Sequence, residues 1–271
     1  MTEPRSSDSA IGPKPESAAK AEPSDLIRSV QRALRVMEIV GDYPNGLSAK
    51  QIARRCGLNL PTTYHLVRTL AYEGYLIRGR NGIFQVGLAL SDRYADLAKA
   101  MAGPATVGEV LRRTVGDTGY SHYLGRIVDG RAAVTAVNEG ARSPHIEDLI
   151  VGFDDGAHAH ALGKALLSTM SATDRRGYLN SAGMRRYTDN TMTEPGDLEY
   201  DLAQRAASGV YTEIGQFHPG VGCAATVVRD DPDPRHRTVI ACTMPLFDLR
   251  QNGSMVKSRL RRAAVELETL L

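Results

Sequence analysis

Cysteine is scarce in this chain. Cys56, Cys223 and Cys242 are three residues among 271, widely spaced and odd in number, which excludes a disulfide framework. No CxxC pair is present, so the usual zinc-knuckle spacing is missing as well. No run of about 18 apolar residues occurs, and no membrane-spanning helix is expected. The opening MTEPRSSDSAIGPKPESAAKAEPSD lacks the apolar segment of a secretory signal. Rich in Pro, Ser, Ala and charge, residues 1–25 read as a disordered tail. Unpaired thiols and no export signal fit the cytoplasm. Net charge is small too, +2 at pH 7, so the distribution of charge matters more than its sum. No internal repeat is visible.

What is present begins with helices. DLIRSVQRALRVMEIV, capped by Ser24, carries an apolar stripe of Leu26, Val30, Ala33, Leu34, Met37 and Val40. SAKQIARRCG follows. Ser48 and Gln51 form a capping box, Ile52, Ala53 and Cys56 turn inward, and Gly57 supplies a left-handed stop. After a very short turn, LNLPTTYHLVRTL has Thr63, Leu66, Val67 and Leu70 at core-facing spacing. Its other face holds Leu60, Pro61, Thr62, Tyr64, His65 and Arg68, with no acid before Glu73. YLIR and IFQV around GRNG then read as a hairpin.

Helix, helix, short turn, helix, hairpin is the order of a winged helix-turn-helix, in which the third helix enters a major groove. Charge agrees. Between Arg28 and Arg80 there are nine basic residues and three acids, a net of +6, so the rest of the chain sums to −4. A basic block in a mildly acidic chain is the footprint of phosphate contact.

Residues 87–103 read as a connecting helix whose apolar side is Leu88, Leu90, Tyr94, Leu97, Ala98 and Met101, closed by Gly103–Pro104. Beyond it, helices and antiparallel-looking strands alternate irregularly, which indicates an α+β domain. Thr193 is the expected cap of GDLEYDLAQRAASG, and the last helix is expected around SMVKSRLRRAAVELETLL. The domains are therefore a tail (1–25), a winged helix-turn-helix (26–86), a linker helix (87–103) and a second domain (104–271).

These residues resemble the IclR family of bacterial transcriptional regulators. RSVQRALRVMEIV, GLSAKQIARRCGL, TTYHLVRTL and EGYLIR carry the likeness in the first half; HAHALGKALL, YTDNTMTEP and GVGCAATVV carry it in the second. The resemblance implies a homodimer or homotetramer that binds a pseudo-palindromic double-stranded DNA operator. It also implies a GAF-like effector domain that takes a small, acidic or carboxylate-bearing metabolite.

On this likeness, Thr62, Tyr64, His65 and Arg68, flanked by Leu60 and Pro61, meet base edges, with His65 where many relatives carry Arg. Lys50, Arg54, Arg78 and Arg80 meet phosphates, which position without specifying. The effector contacts carried over are Ala161, Leu162, Glu213, Val221, Cys223, Ala241 and Thr243. Glu213 stands for a commoner Asp, and Ala241 for a Ser of some relatives; both suggest a less polar pocket and a larger ligand. The apolar sides of residues 26–40 and 88–101 are the expected dimer seam.

Other readings stand beside this one. A DNA-binding regulator without a ligand would need only the first ~80 residues. An enzyme using Cys223 as nucleophile meets the objection that GVGCAATVV is an apolar strand, where cysteine is usually a small buried hydrophobe. GAHAHALGKA imitates a phosphate loop with its glycines too far apart and Ala165 in place of the hydroxyl. A metal on His158 and His160 is disfavoured because HxH in an extended segment points to opposite faces. No catalysis, cofactor or metal is expected.

Overall fold

The computed structural model describes residues 25–79, 81–146, 149–153 and 155–271. The expected tail up to Ser24, and Arg80, lie outside the described residues. Two compact units are present, one running to Gly103 and the other from Pro104 to Leu271.

The first unit contains α1 (Arg28–Gly41), β1 (Leu47–Ser48), α2 (Ala49–Cys56), α3 (Leu60–Tyr72), β2 (Leu76–Arg78), β3 (Ile83–Val86) and α4 (Ala89–Ala102). Helix α1 starts at Arg28 with Ile27 at its N-cap and no side-chain cap, three residues later than the expected cap at Ser24 implied. Its stripe divides. Val40 is buried with Val36 and Ile39, whereas Leu26, Val30 and Leu34 are exposed. The capping box forms as expected: the Ser48 hydroxyl accepts from the Gln51 amide, and the Ser48 amide donates to Gln51 Oε1 at 2.8 Å. Gly57 adopts the left-handed conformation, φ 64° and ψ 30°, that ends α2.

Strand β3 pairs with β2 and also with the two-residue β1, Leu47 opposite Phe84, giving a three-stranded wing. Val36, Ile39, Leu47, Ile52, Val67, Leu76 and Phe84 form the core beneath it. This is the winged helix-turn-helix read from the sequence.

The second unit is α+β. It contains α5 (Ala105–Thr118), β4 (Ser121–Val128), β5 (Arg131–Asn138), α6 (Ala161–Ser168), α7 (Ala172–Ala182), α8 (Pro195–Ala206), β6 (Val210–Ile214), β7 (Val221–Arg229), β8 (Thr238–Pro245) and α9 (Leu246–Glu268). The strands make one antiparallel sheet in the order β5-β4-β8-β7-β6. Asp129 and Gly130, both at positive φ, make the tight two-residue turn between β4 and β5. Because side chains alternate along each strand, Tyr123, Cys223 and Ala241 face α6 while Leu124, Ala224 and Ile240 take the other side. That other side packs on α5 and α9.

Two boundaries differ from the sequence reading. Thr193 caps nothing: Glu194 is the N-cap of α8, without a side-chain bond, and Pro195 opens the helix with its preset φ. Helix α9 begins at Leu246, eight residues before Ser254. It runs through Gly253, which is buried inside the helix rather than breaking it.

Candidate functional site

In the first unit, local bonds hold α3 so that one face stays outside. Asn59 Oδ1 accepts from the Thr62 amide at 2.8 Å, and Thr63 Oγ1 donates to the Asn59 carbonyl at 2.9 Å. Pro61 sits in the first turn, where a missing N–H costs nothing. Thr63 and Val67 are fully buried, which turns Pro61, Tyr64, His65, Arg68 and Thr69 to solvent and leaves Thr62 half-buried. Leu60 behaves differently from its neighbours: it is half-buried and packs against the core. Tyr72, 88% exposed, was missed in the sequence. Its place in the stripe Pro61, His65, Arg68, Tyr72, at i, i+4, i+7 and i+11, was the available signal.

Among the described residues, the cations around this face have no acid partner. Lys50, Arg54, Arg68 and Arg78 are exposed. In this unit the ion pairs among the described residues are Arg35–Glu38 and Arg93–Asp96, both on exposed helix surface. Arg78 lies over the Phe84 ring, 5.9 Å from its centroid, and Arg55 stacks on Tyr43 at 4.6 Å. Cations placed this way can meet phosphates without first breaking internal salt bridges.

In the second unit, the start of α6 approaches the sheet closely. A Cβ on Gly163 would run into the Cα and carbonyl of Ala157, so only glycine allows the preceding turn to lie there. His160 caps the helix, its Nδ1 accepting from the Gly163 amide at 2.9 Å. Its Nε2 donates to the Asp155 carbonyl at 3.0 Å, so both nitrogens are committed and the ring is neutral. Burial pushes the His160 pKa down to about 4. His158 points its Nε2 at the Arg185 carbonyl, 3.0 Å away. Both rings are thus engaged by backbone, and among the described residues no cluster of metal-ligating side chains forms.

Beneath α6 lies a cavity of about 20 Å³ lined by Tyr123, Val134, Leu149, His160, Ala161, Leu162, Cys223, Ala241 and Thr243. Five of the seven expected effector contacts converge here: Ala161, Leu162, Cys223, Ala241 and Thr243. Strand register explains it, since Thr243 lies opposite both Cys223 and Ser121, and Ala241 opposite Tyr123. The Thr243 hydroxyl donates to Tyr123 Oη at 3.3 Å, making one polar corner in an apolar chamber.

The other two expected contacts lie outside the lining. Val221 is buried in the core, opposite Pro245 at the sheet end. Glu213, opposite Cys223, turns Oε2 to the Gln216 amide at 2.8 Å. Its Oε1 is buried with no hydrogen-bond partner among the described residues. Burial raises its pKa, as expected for a carboxyl removed from water.

Cys223 is no activated nucleophile. Burial first, then the Glu213 charge, hold its thiol protonated well above the usual range. His160 has no free nitrogen to act as its base. Lys164, the lysine of the phosphate-loop imitation, is fully buried and donates to Asp201 Oδ2 at 2.8 Å, away from any phosphate position. What remains is a small, mostly apolar cavity.

Comparison with known proteins gives the same division. Residues 29–78 match the family model of the IclR helix-turn-helix domain, and residues 105–268 match that of the bacterial transcriptional regulator IclR C-terminal domain. The HTH-type transcriptional regulator XynR of Escherichia coli is 27% identical over 210 residues, covering 75% of this chain and 81% of that protein. The HTH-type transcriptional regulator BhcR of Paracoccus denitrificans is 27% identical over 211 residues, with coverages of 78% and 75%. Among solved structures, an IclR homologue from Microbacterium hydrocarbonoxydans complexed with 4-hydroxybenzoate superposes with a TM-score of 0.69 at 21% identity, covering 89% of this chain and 98% of that one.

Proposed function

The chain belongs to the IclR family of DNA-binding transcriptional regulators, and from that premise we propose that it reads a pseudo-palindromic operator as a homodimer under control of a small effector. The observation that carries the DNA reading is the exposed α3 stripe on a capped helix, ringed by cations that have no acid partner among the described residues. Arg68 reads guanine, Tyr64, His65 and Thr62 meet neighbouring base edges, and Lys50, Arg54, Arg78 and Arg80 hold phosphates. Leu60 and Pro61 set the entry of the helix into the groove.

Two recognition helices are needed, since one reads too few bases, and they must stand about 34 Å or a multiple apart. The exposed Leu26, Ile27, Val30 and Leu34 of the α1 region and Leu88, Leu90, Tyr94 and Leu97 of the α4 region support a dimer seam. Among the described residues no helix is long and apolar enough to cross a membrane. Work at the chromosome fits the cytoplasmic reading.

The effector is a weak acid held at the start of α6. The amides of Ala161 and Leu162 suit a carboxylate there, the Tyr123 and Thr243 hydroxyls add hydrogen bonds, and the apolar lining excludes water. Glu213 and Val221 support Cys223 and the sheet end from behind. The structural relative that holds 4-hydroxybenzoate supports an effector with a carboxylate on an apolar body.

The test is fluorescence polarisation on fragments from upstream of the chain's own gene, against random competitor, with and without candidate acids. Preference for one fragment, altered by one acid, is expected. Preference unchanged by any acid would favour a ligand-independent regulator, and no preference at all would sink the operator reading.

A further inference from the structure

The outer helical layer of the second unit carries a polar groove. Helices α5 and α9 pack on each other over the sheet face that α6 does not cover. Arg113 pairs with Glu266 and Asp117 with Arg259, so the two helices run in opposite directions. On α9 the groove is lined by Arg259, Arg262, Ala263 and Glu266, at i, i+3, i+4 and i+7, one side of a helix. On α5 it is lined by Arg113, Thr114 and Asp117. Thr114 and Ala263 are small and buried and make the floor, which leaves a cavity of about 270 Å³ between the two ion pairs.

The charges of this groove do not balance. Three guanidinium groups line it against two carboxylates. Arg259 Nη1 stands 3.3 Å from Asp117 Oδ2, and Arg113 donates to both oxygens of Glu266. Arg262 is left over: among the described residues it has neither an ion pair nor a hydrogen bond. The two pairs that do form are partly exposed, and such pairs contribute little. A ligand that borrows one of their guanidinium groups gives up little in doing so.

Volume and chemistry narrow what fits. The groove has the room of about nine waters at about 30 Å³ each, more than a bare phosphate fills. A phosphate group has three free oxygens, and Arg262 with Arg113 and Arg259 beside it supplies forked donors for them. A dicarboxylate would press its second anionic end on Asp117 or Glu266. Hydroxyl groups do the opposite, since they donate to carboxylates. The mixed signs therefore suit one phosphate joined to a short polyhydroxylated chain.

We propose that the α5–α9 groove is a binding site for a small sugar phosphate, with Arg262 anchoring the phosphate and Asp117 and Glu266 accepting from the hydroxyls. It lies apart from the cavity beneath α6, on the other face of the sheet.

The experiment is calorimetric titration of the full chain with ribose 5-phosphate, ribose, inorganic phosphate and malonate. Ionic strength is matched throughout, because salt screens exposed cations. The proteins are the wild type, Arg262→Gln and a control of equal net charge, Arg112→Gln, whose exposed side chain on α5 lies outside the groove. Both variants replace exposed residues, and thermal melting checks their fold. In the wild type, ribose 5-phosphate is expected to bind about tenfold or more tightly than ribose, and more tightly than inorganic phosphate or malonate. It is also expected to raise the melting temperature by mass action. Arg262→Gln weakens ribose 5-phosphate by about tenfold, the worth of a charge-assisted hydrogen bond, while Arg112→Gln changes it by less than about twofold. An equal loss in the two variants reduces the effect to net charge and overturns the site. Malonate or inorganic phosphate binding as tightly as ribose 5-phosphate overturns the ligand class. Neither heat nor a rise in melting temperature with ribose 5-phosphate overturns the proposal outright.

Discussion

Lys164 Nζ lies 2.8 Å from Asp201 Oδ2, and the other oxygen of the same carboxylate accepts from Arg205 Nε at 2.9 Å. The pair ties α6, the pocket helix, to α8. Burial pulls the Lys164 pKa down while the Asp201 hydrogen bond and charge oppose that pull. Arg205 also reaches the Thr212 hydroxyl, so the carboxylate sits between two fixed cations. Removing the acid strands a buried ammonium, and Asp201→Ala is expected to cost about 3–5 kcal/mol in chemical denaturation. Lys164→Met is expected to cost less, because Arg205 still neutralises Asp201. The reverse order would mean that the pair does not hold the helices together.

Acid weakens the second unit through its buried histidines. His160 and His122 are each pushed by burial from 6.5 to about 4. The unfolded chain takes their protons near pH 6.5, whereas the folded one refuses them until about pH 4. Stability is therefore complete above about pH 6.5 and falls as pH drops towards 4, by about 3 kcal/mol for each ring. His160→Asn retains a side-chain oxygen for the Gly163 amide and removes one titrating group. Its melting temperature is expected to fall less steeply than that of the wild type between pH 6.5 and 4.5; an equal slope excludes His160 as a source.

Local chemistry was the part of this fold legible in the sequence. The Ser48–Gln51 box, the left-handed Gly57 and the hairpin after Arg78 each depend on residues a few positions apart, and all are present. The family likeness extended that reach, since five residues from three separated segments meet in one cavity. Long-range partners stayed hidden. Nothing in Leu47–Ser48 announces a strand, because it exists only by pairing with Ile83 and Phe84. Gly253 lies inside α9 although glycine is a poor helix former, a propensity cost outweighed by the packing of α9 on the sheet. The close approach of Leu162 to Gly125 joins a helix and a strand far apart in the chain, and no periodicity records it.

The apolar residues left outside the first unit lead to a prediction about assembly. Leu34 is 60% exposed and Leu97 is 63% exposed. A glutamate at either position meets solvent in the single chain, so folding of that chain is not opposed. Across a seam the same charge is buried against hydrocarbon and costs several kcal/mol. Leu97→Glu is thus expected to keep its circular dichroism spectrum while sedimenting as a monomer at micromolar concentration. A variant that still sediments with the wild type removes α4 from the seam.

On the proposed operator reading, Arg68 carries specificity and Arg78 carries grip. Both are exposed and lack an acid partner among the described residues, but they occupy different elements: Arg68 lies on the outer face of α3, and Arg78 at the end of the wing strand β2. A guanidinium on the recognition helix forms two hydrogen bonds with guanine, and losing them costs about 1–3 kcal/mol on the operator alone. On the proposed reading the wing guanidinium of Arg78 holds phosphate, which every sequence offers. Arg78→Ala is therefore expected to weaken operator and random DNA alike and to reduce the slope of log K against log salt by about 1. Arg68→Ala is expected to leave random-DNA binding nearly intact while shrinking the ratio between the two. Polarisation titrations of both variants at several salt concentrations read both quantities. An equal loss for Arg68→Ala on the two kinds of DNA would move it from reader to phosphate contact.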